Sequence, residues 1–177
     1  DLPSDKVKKD VAELNSLYED CVTAIRKTNP KRIIFIAPSK LSHPEGLQYL
    51  KIPSQGNGYL MAEWHFYAAG PSKTNDKKRW TTGTAEEKHQ IKKSIKVAVD
   101  WQKKTGIYTW VGAWMPGDYN KGDNYSVKEQ IEFASFMTQQ LDKYGIPFAI
   151  NADDRFYDYQ AENWIPKYKD LLNRIFM

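Results

Sequence analysis

Cysteine is nearly missing from this sequence. Cys21 stands alone, so no internal disulfide can form, and its place in an apolar helical stripe makes it a packing residue. Histidine is scarce as well. His43, His65 and His89 lack the spacing of metal ligands, which argues against a zinc site, and His43 and His89 read as surface residues. No apolar run reaches membrane-spanning length, and no signal peptide opens the chain. No Gly-rich phosphate turn follows a candidate strand, and neither a serine elbow nor a Cys–His arrangement is visible. Charge of one sign is not concentrated: the formal net charge of +4 is spread along the chain. Lys77, Lys78 and Arg79 share one loop, and Lys92, Lys93 and Lys96 lie on a helix whose other face is apolar. Neither cluster is interleaved with stacking aromatics, so both read as solvated faces rather than a nucleic-acid site.

What the sequence does have is aromatic side chains, with six Trp and eleven Tyr among 177 residues. That length fits one domain, residues 1–177, with enough apolar content for a core. The chain starts Asp-Leu-Pro-Ser, without Met, and runs straight into a helix, which raises the expectation of a segment from within something longer. Four apolar runs read as strands: Arg32 to Ala37, Tyr59 to Phe66, Tyr108 to Ala113, and Phe148 to Asn151. The first helix carries Val7, Val11, Leu14, Tyr18, Cys21 and Ile25 in one stripe. The second begins with the capping box Thr84…Glu87 and stops at Gly106. The third repeats this grammar from Ser126…Glu129 to Gly145. A last helix carries Tyr168, Leu171, Leu172 and Ile175, and a short one spans Glu45 to Leu50.

Strand and helix alternate, which predicts an α/β fold of parallel strands joined by right-handed crossovers. Loops before the strands are tight (Thr105-Gly106, Gly145-Ile-Pro147), whereas Ala68 to Gly83 and Pro116 to Tyr125 are long. Elaborate loops after strands mark the catalytic face of a (β/α)₈ barrel, of which four units make half. An open doubly wound sheet is the alternative.

Chemistry gathers at the strand ends. In Gly58 to Pro71, strand alternation places Glu63, His65 and Tyr67 on one side and Trp64 and Phe66 on the other. A carboxylate, an imidazole and a phenol in a buried strand cost desolvation, so they form either a site or a satisfied core network. After the third strand comes Trp110-Val-Gly-Ala-Trp-Met-Pro-Gly-Asp-Tyr-Asn120, and after the fourth Asn151-Ala-Asp-Asp-Arg-Phe-Tyr-Asp-Tyr159, with Trp164 beyond. With Trp80, these are flat aromatic faces interleaved with Asp and Asn, a combination suited to the apolar faces and hydroxyl edges of sugars. Phe133 and Phe136 are packing residues, and Asp118, Asp153 and Asp154 are loop carboxylates that are solvated or sugar-binding.

On these residues the chain resembles the C-terminal part of a family 5 glycoside hydrolase of the cellulase group. His65-Phe66-Tyr67 is similar to the family's His-x-Tyr at the end of strand six. Ile25-Arg26, Asn29-Pro30 and Arg32 to Pro38 resemble the helix and strand after its Asn-Glu acid/base motif. Val111-Gly112-Ala113-Trp114 falls where the family has Val-Gly-Glu, the nucleophile of strand seven. The resemblance implies units five to eight of a TIM barrel and a secreted, extracellular or periplasmic, endoglucanase-type enzyme. It would retain configuration on β-linked glucan such as cellulose, without cofactor, metal, nucleic acid or membrane. Its partner would be a polysaccharide or oligosaccharide, together with the N-terminal half of the barrel or a second copy of the chain. It further implies that His65 and Tyr67 bond the sugar or the nucleophile. Trp80, Trp114 and Trp164 are the stacking candidates, and Tyr119, Asn151 and Asp153 further substrate-binding candidates. Two departures stand out: the acid/base motif would lie before Asp1, and the nucleophile position is Ala113. Glu63 is the substitute carboxylate within reach of sequence reasoning, although two residues deeper than His65. The runner-up function is a glycan-binding module or pseudo-enzyme.

Overall fold

A computed structural model of the chain describes residues 4–39, 41–56, 58–71, 77–120 and 124–176, apart from the side chain of Asp153. Strands β1 (Ile34–Ile36), β2 (Leu60–His65), β3 (Tyr108–Trp114) and β4 (Phe148–Ile150) form a sheet in the order β1-β2-β3-β4, the sequential order expected. β1 pairs with β2, and β3 with β4, in parallel. The helices are α1 (Asp5–Arg26), α2 (Ala85–Thr105), α3 (Val127–Lys143), α4 (Asp153–Phe156) and α5 (Lys169–Phe176). A separate antiparallel pair, β5 (Tyr157–Asp158) and β6 (Asn163–Trp164), follows α4. The short helix expected at Glu45 to Leu50 is a 3₁₀ helix, Pro44–Tyr49. Contacts divide the chain into two compact units, Asp1–His65 with Lys96–Trp110, and Phe66–Ile95 with Val111–Met177.

In the first unit, α1 begins where the Ser4 side chain accepts the Val7 N–H, with Asp5 favourably placed at the positive end of the helix dipole. Its buried residues are Val11, Val22 and Arg26. Cys21, expected to pack, is exposed. From Tyr18 the inner face steps by four to Val22 and by four again to Arg26. At 3.6 residues per turn either step is open, and here it leaves Cys21 outside. Polar clamps then tie α1 to the segments it covers. Tyr18 Oη donates to the Ala37 carbonyl at 3.0 Å and accepts the Ala37 N–H at 3.1 Å. Asn15 donates to the Tyr49 carbonyl and accepts the Lys51 N–H. Arg26, 8% exposed, spreads its guanidinium over the carbonyls of Asn29, Arg32, Gln55, Gly56 and Tyr59.

In the second unit, both capping boxes exist as read. Thr84 Oγ1 accepts the Glu87 N–H while Glu87 accepts the Thr84 N–H, and Ser126 and Glu129 do the same for α3. Beyond Lys143 and the cap residue Tyr144, the chain leaves α3 through Gly145, whose φ of 61° lies in the left-handed region that glycine occupies without strain. Phe133, Met137 and Leu141 of α3 and Leu171, Leu172 and Ile175 of α5 are buried, where the two helices pack on one another. The β3–β4 ladder carries an irregularity. Val111 pairs with Phe148 and Trp114 with Ile150, so three steps along β3 face two along β4. The extra residue is a bulge, and it interrupts the strict alternation of side chains.

Candidate functional site

β2 keeps the alternation its sequence implies: Leu60, Ala62 and Trp64 are buried, and Met61, Glu63 and His65 are half-buried on the other face. Glu63 Oε1 and His65 Nε2 lie 2.8 Å apart. Glu63 is thus committed to the imidazole. It fixes the ring's orientation, and where Nε2 carries the proton Nδ1 is left as an acceptor in the neutral ring. The His65 backbone is held in turn, its N–H donating to the Ser42 carbonyl at 2.8 Å.

The second unit assembles Tyr67, Ala113, Tyr119 and Asn151. The Phe66 N–H donates to the Ala113 carbonyl at 3.0 Å, and the Asn151 N–H to the Trp114 carbonyl at 2.7 Å, so strand-like bonding runs past the ends of β2 and β4. Asn151 Nδ2 donates to Tyr67 Oη at 3.3 Å, and the Tyr119 ring meets Tyr67 edge-on at 4.6 Å. Tyr67 Oη accepts this bond through a lone pair, and a phenol can both accept and donate. Ala113, half-buried in the bulge, brings a methyl group to this strand end.

Three expectations need correction. Trp80 and Trp114, expected as stacking platforms, are 1% and 0% exposed. Trp80 lies against Phe133 at 5.4 Å and Phe136 at 5.6 Å; Trp114 lies against Phe133 at 6.0 Å and Phe148 at 5.8 Å. The bulge is the reason for Trp114, because the added residue leaves it buried alongside Val111. Trp80 is buried because its long loop lays it on α3. Asp118 is buried as well: its carboxylate accepts the Asn120 N–H at 2.7 Å and the Asn124 amide, and its carbonyl accepts from Arg155. It clamps the loop after β3. Asp154 is exposed, Trp164 is half-buried on β6, and the Asp153 side chain lies outside the described residues. Trp80→Phe is expected to lower stability by about 1–2 kcal/mol, measured by urea denaturation.

The sequence reading missed the clamp at the start of α3. Lys78 pairs with Glu129 and sits 4.4 Å over the ring of Tyr125, whose hydroxyl donates to the Ala69 carbonyl. Burial pushes the Tyr125 phenol up. The Lys78 hydrogen bond, followed by the Ser126 N–H, holds the Glu129 carboxyl below its usual 4.5. A carboxyl group lowered on folding adds stability above its unfolded value and loses it as pH falls through the folded one. The melting temperature of Glu129→Gln is therefore expected to trail the parent's by a few degrees at pH 7, about 1 kcal/mol. In acid, with the carboxyl protonated in both states, the two melting curves should converge. Circular dichroism melts across pH check this. Among the described residues, no group of three His, Cys, Asp or Glu is placed to hold a metal ion.

Parallel strands with intervening helices and polar side chains at the carboxyl strand ends define an α/β protein of the strand–helix repeat class. The model of the cellulase family (glycosyl hydrolase family 5) matches residues 3–152, and the chain belongs to that family. Among solved structures, a family 5 lichenase from Caldicellulosiruptor sp. F32 is similar at 17% identity and a TM-score of 0.80, over 99% of this chain and 51% of that one. The cellulose synthase subunit Z of Clostridioides difficile matches at 19% identity and a TM-score of 0.77, over 94% and 56%. Endoglucanase Cel5A of Thermotoga maritima matches at 19% and 0.76, over 93% and 54%. At such identities the likeness shows the fold, that of the family's barrel, and the chain spans about half the length of these structures. No curated protein sequence matches the chain.

Proposed function

We propose that the protein acts on β-linked glucan as an endoglucanase-type glycoside hydrolase, with this chain supplying units five to eight of the barrel. The observation that carries the reading is the family match over residues 3–152, joined to the polar residues at the strand ends where such a barrel binds. On this reading His65, oriented by Glu63, and Tyr67, held by Asn151, donate to or accept from sugar hydroxyls. Tyr119 flanks Tyr67 and offers an aromatic edge. The N-terminal half of the barrel, or a second copy of the chain, covers the strand edges. Action outside the cytoplasm suits a polymer too large to be taken up.

A second reading is favoured by Ala113. A retaining mechanism needs two carboxyl groups roughly 5 Å apart. Ala113 brings none to the nucleophile position, and Glu63 is paired with His65. The protein would then hold glucan without cutting it. Reducing-end release from soluble β-glucan, measured beside binding of the same polymer, separates the two. Release supports the hydrolase, binding without release supports the holding protein, and neither binding nor release overturns the glucan reading.

A further inference from the structure

The antiparallel pair after α4 is used by neither the strand-end chemistry nor the core. Tyr157 pairs with Trp164 and Asp158 with Asn163 across the two strands. Residues directly opposite each other share a face of the ladder, and a residue two further along returns to it, so Tyr157, Trp164 and Tyr159 lie together. Their rings touch, Tyr157 with Trp164 at 5.1 Å and Tyr157 with Tyr159 at 5.3 Å, each pair edge to face. Asp158 and Asn163 take the other face.

The hairpin is stiffly built for its size. Asp158 Oδ1 accepts the N–H groups of Gln160 and Ala161, closing the turn, and Asn163 Oδ1 accepts the Trp164 N–H. At its base the Ile165 N–H donates to the Phe156 carbonyl at 2.9 Å. Phe156, 2% exposed, packs edge-on against Tyr168 at 4.9 Å. Cross-strand stabilisation accounts for Tyr157 and Trp164. It does not account for Tyr159, which lies beyond the last ladder pair and keeps 67% of its surface in solvent.

We infer that this face is a sugar-binding platform that receives the apolar face of a β-linked glucan chain on Tyr159 and Trp164, with Tyr157 bracing both rings. The inference rests on the reading that the protein acts on β-glucan, and it adds a place where a long chain is held outside the four-stranded sheet. Aromatic rings tipped with hydroxyl and indole N–H donors match a sugar's CH face and its hydroxyl edge. The charged residues of the hairpin itself, Asp158 and Glu162, are both acidic and exposed, which suits a neutral sugar better than a phosphate backbone or an acidic peptide. The order imposed by the turn bonds also lowers the cost of fixing the rings on binding.

The test is affinity electrophoresis of the full protein in gels containing hydroxyethylcellulose, with Tyr159→Ala, Tyr159→Phe and Trp164→Ala alongside. Tyr159 is exposed, so its replacement leaves the fold intact, which a circular dichroism melt verifies. Tyr159→Ala and Trp164→Ala are expected to weaken retardation about five- to tenfold, while Tyr159→Phe, which keeps the ring, retains most of it. Equal retardation of the parent and both alanine variants would overturn the platform and leave the glucan reading standing. Loss in Tyr159→Phe as large as in Tyr159→Ala would also overturn it, since stacking would not be the source. A parent protein that no glucan retards would overturn the glucan reading itself, and the platform with it.

Discussion

Replacing Ala113 with glutamate is expected to raise the release of reducing ends from soluble β-glucan by about a thousandfold or more. On the hydrolase reading proposed above, covalent catalysis at an anomeric carbon needs a carboxylate at the attacking position and a second carboxyl group across the bond, which the rest of the barrel would supply. Position 113 sits at the carboxyl end of β3, inside the bulge, and its carbonyl is fixed by the Phe66 N–H. A glutamate there starts from a positioned backbone. The obvious stand-in is Glu63, and its Oε1 is already engaged by His65. Reducing-sugar assays on the full protein and on Ala113→Glu provide the comparison. If the unmodified protein turns over and Glu63→Gln abolishes that turnover with glucan binding intact, the nucleophile belongs to Glu63 and the expectation fails.

Arg26→Met is expected to destabilise the fold by about 3–5 kcal/mol, one of the largest single-residue effects in the chain. The guanidinium serves five carbonyls at once, from the end of α1, the start of β1 and the approach to β2. Removing it deprives five part-buried or buried carbonyls of a charged donor. Arg32 and Gln55 are left to water and Asn29, Gly56 and Tyr59 to a single backbone N–H each, and the apolar methionine compensates for none of this. Arg26→Lys should recover only a minor part, because one ammonium on a flexible stem cannot reproduce a planar fork of five donors. Urea denaturation gives both values. Arg26 also donates to the carbonyl of Tyr59, the residue immediately before β2, so the same bonds hold the strand that ends in Glu63 and His65. Loss of binding in Arg26→Met at temperatures where the protein remains folded would reveal that dependence.

Features written in neighbouring residues were legible from the sequence. The boxes Thr84…Glu87 and Ser126…Glu129, the stop at Gly145 and the alternation along β2 each depend on a handful of adjacent positions, and all are present. The sheet order follows from parallel units taken in turn. Features set by distant packing were not legible. Trp80 and Trp114 carry the same local signals as a binding aromatic. What makes them core is α3, contributed by residues 127–143, together with one inserted residue in β3. Gly112 beside Ala113 was the available hint of that insertion, since glycine inside a strand often marks a bulge. Cys21 and Val22 compete for one turn of α1, and only the contacts decide. The β5–β6 hairpin escaped because two-residue strands are too short to show a period.

The distribution of the six tryptophans gives the protein a particular optical character. Trp64, Trp80 and Trp114 are at most 1% exposed and Trp101 is 7% exposed, so these indoles emit from surroundings without water. Trp110, beside Phe35, and Trp164, on the hairpin, are the two with part of the ring in solvent. Long-wavelength emission and sensitivity to a dissolved quencher such as iodide therefore belong to these two. In Trp110→Phe the quencher-sensitive, long-wavelength emission is left to Trp164 alone, so the hairpin carries its own fluorophore.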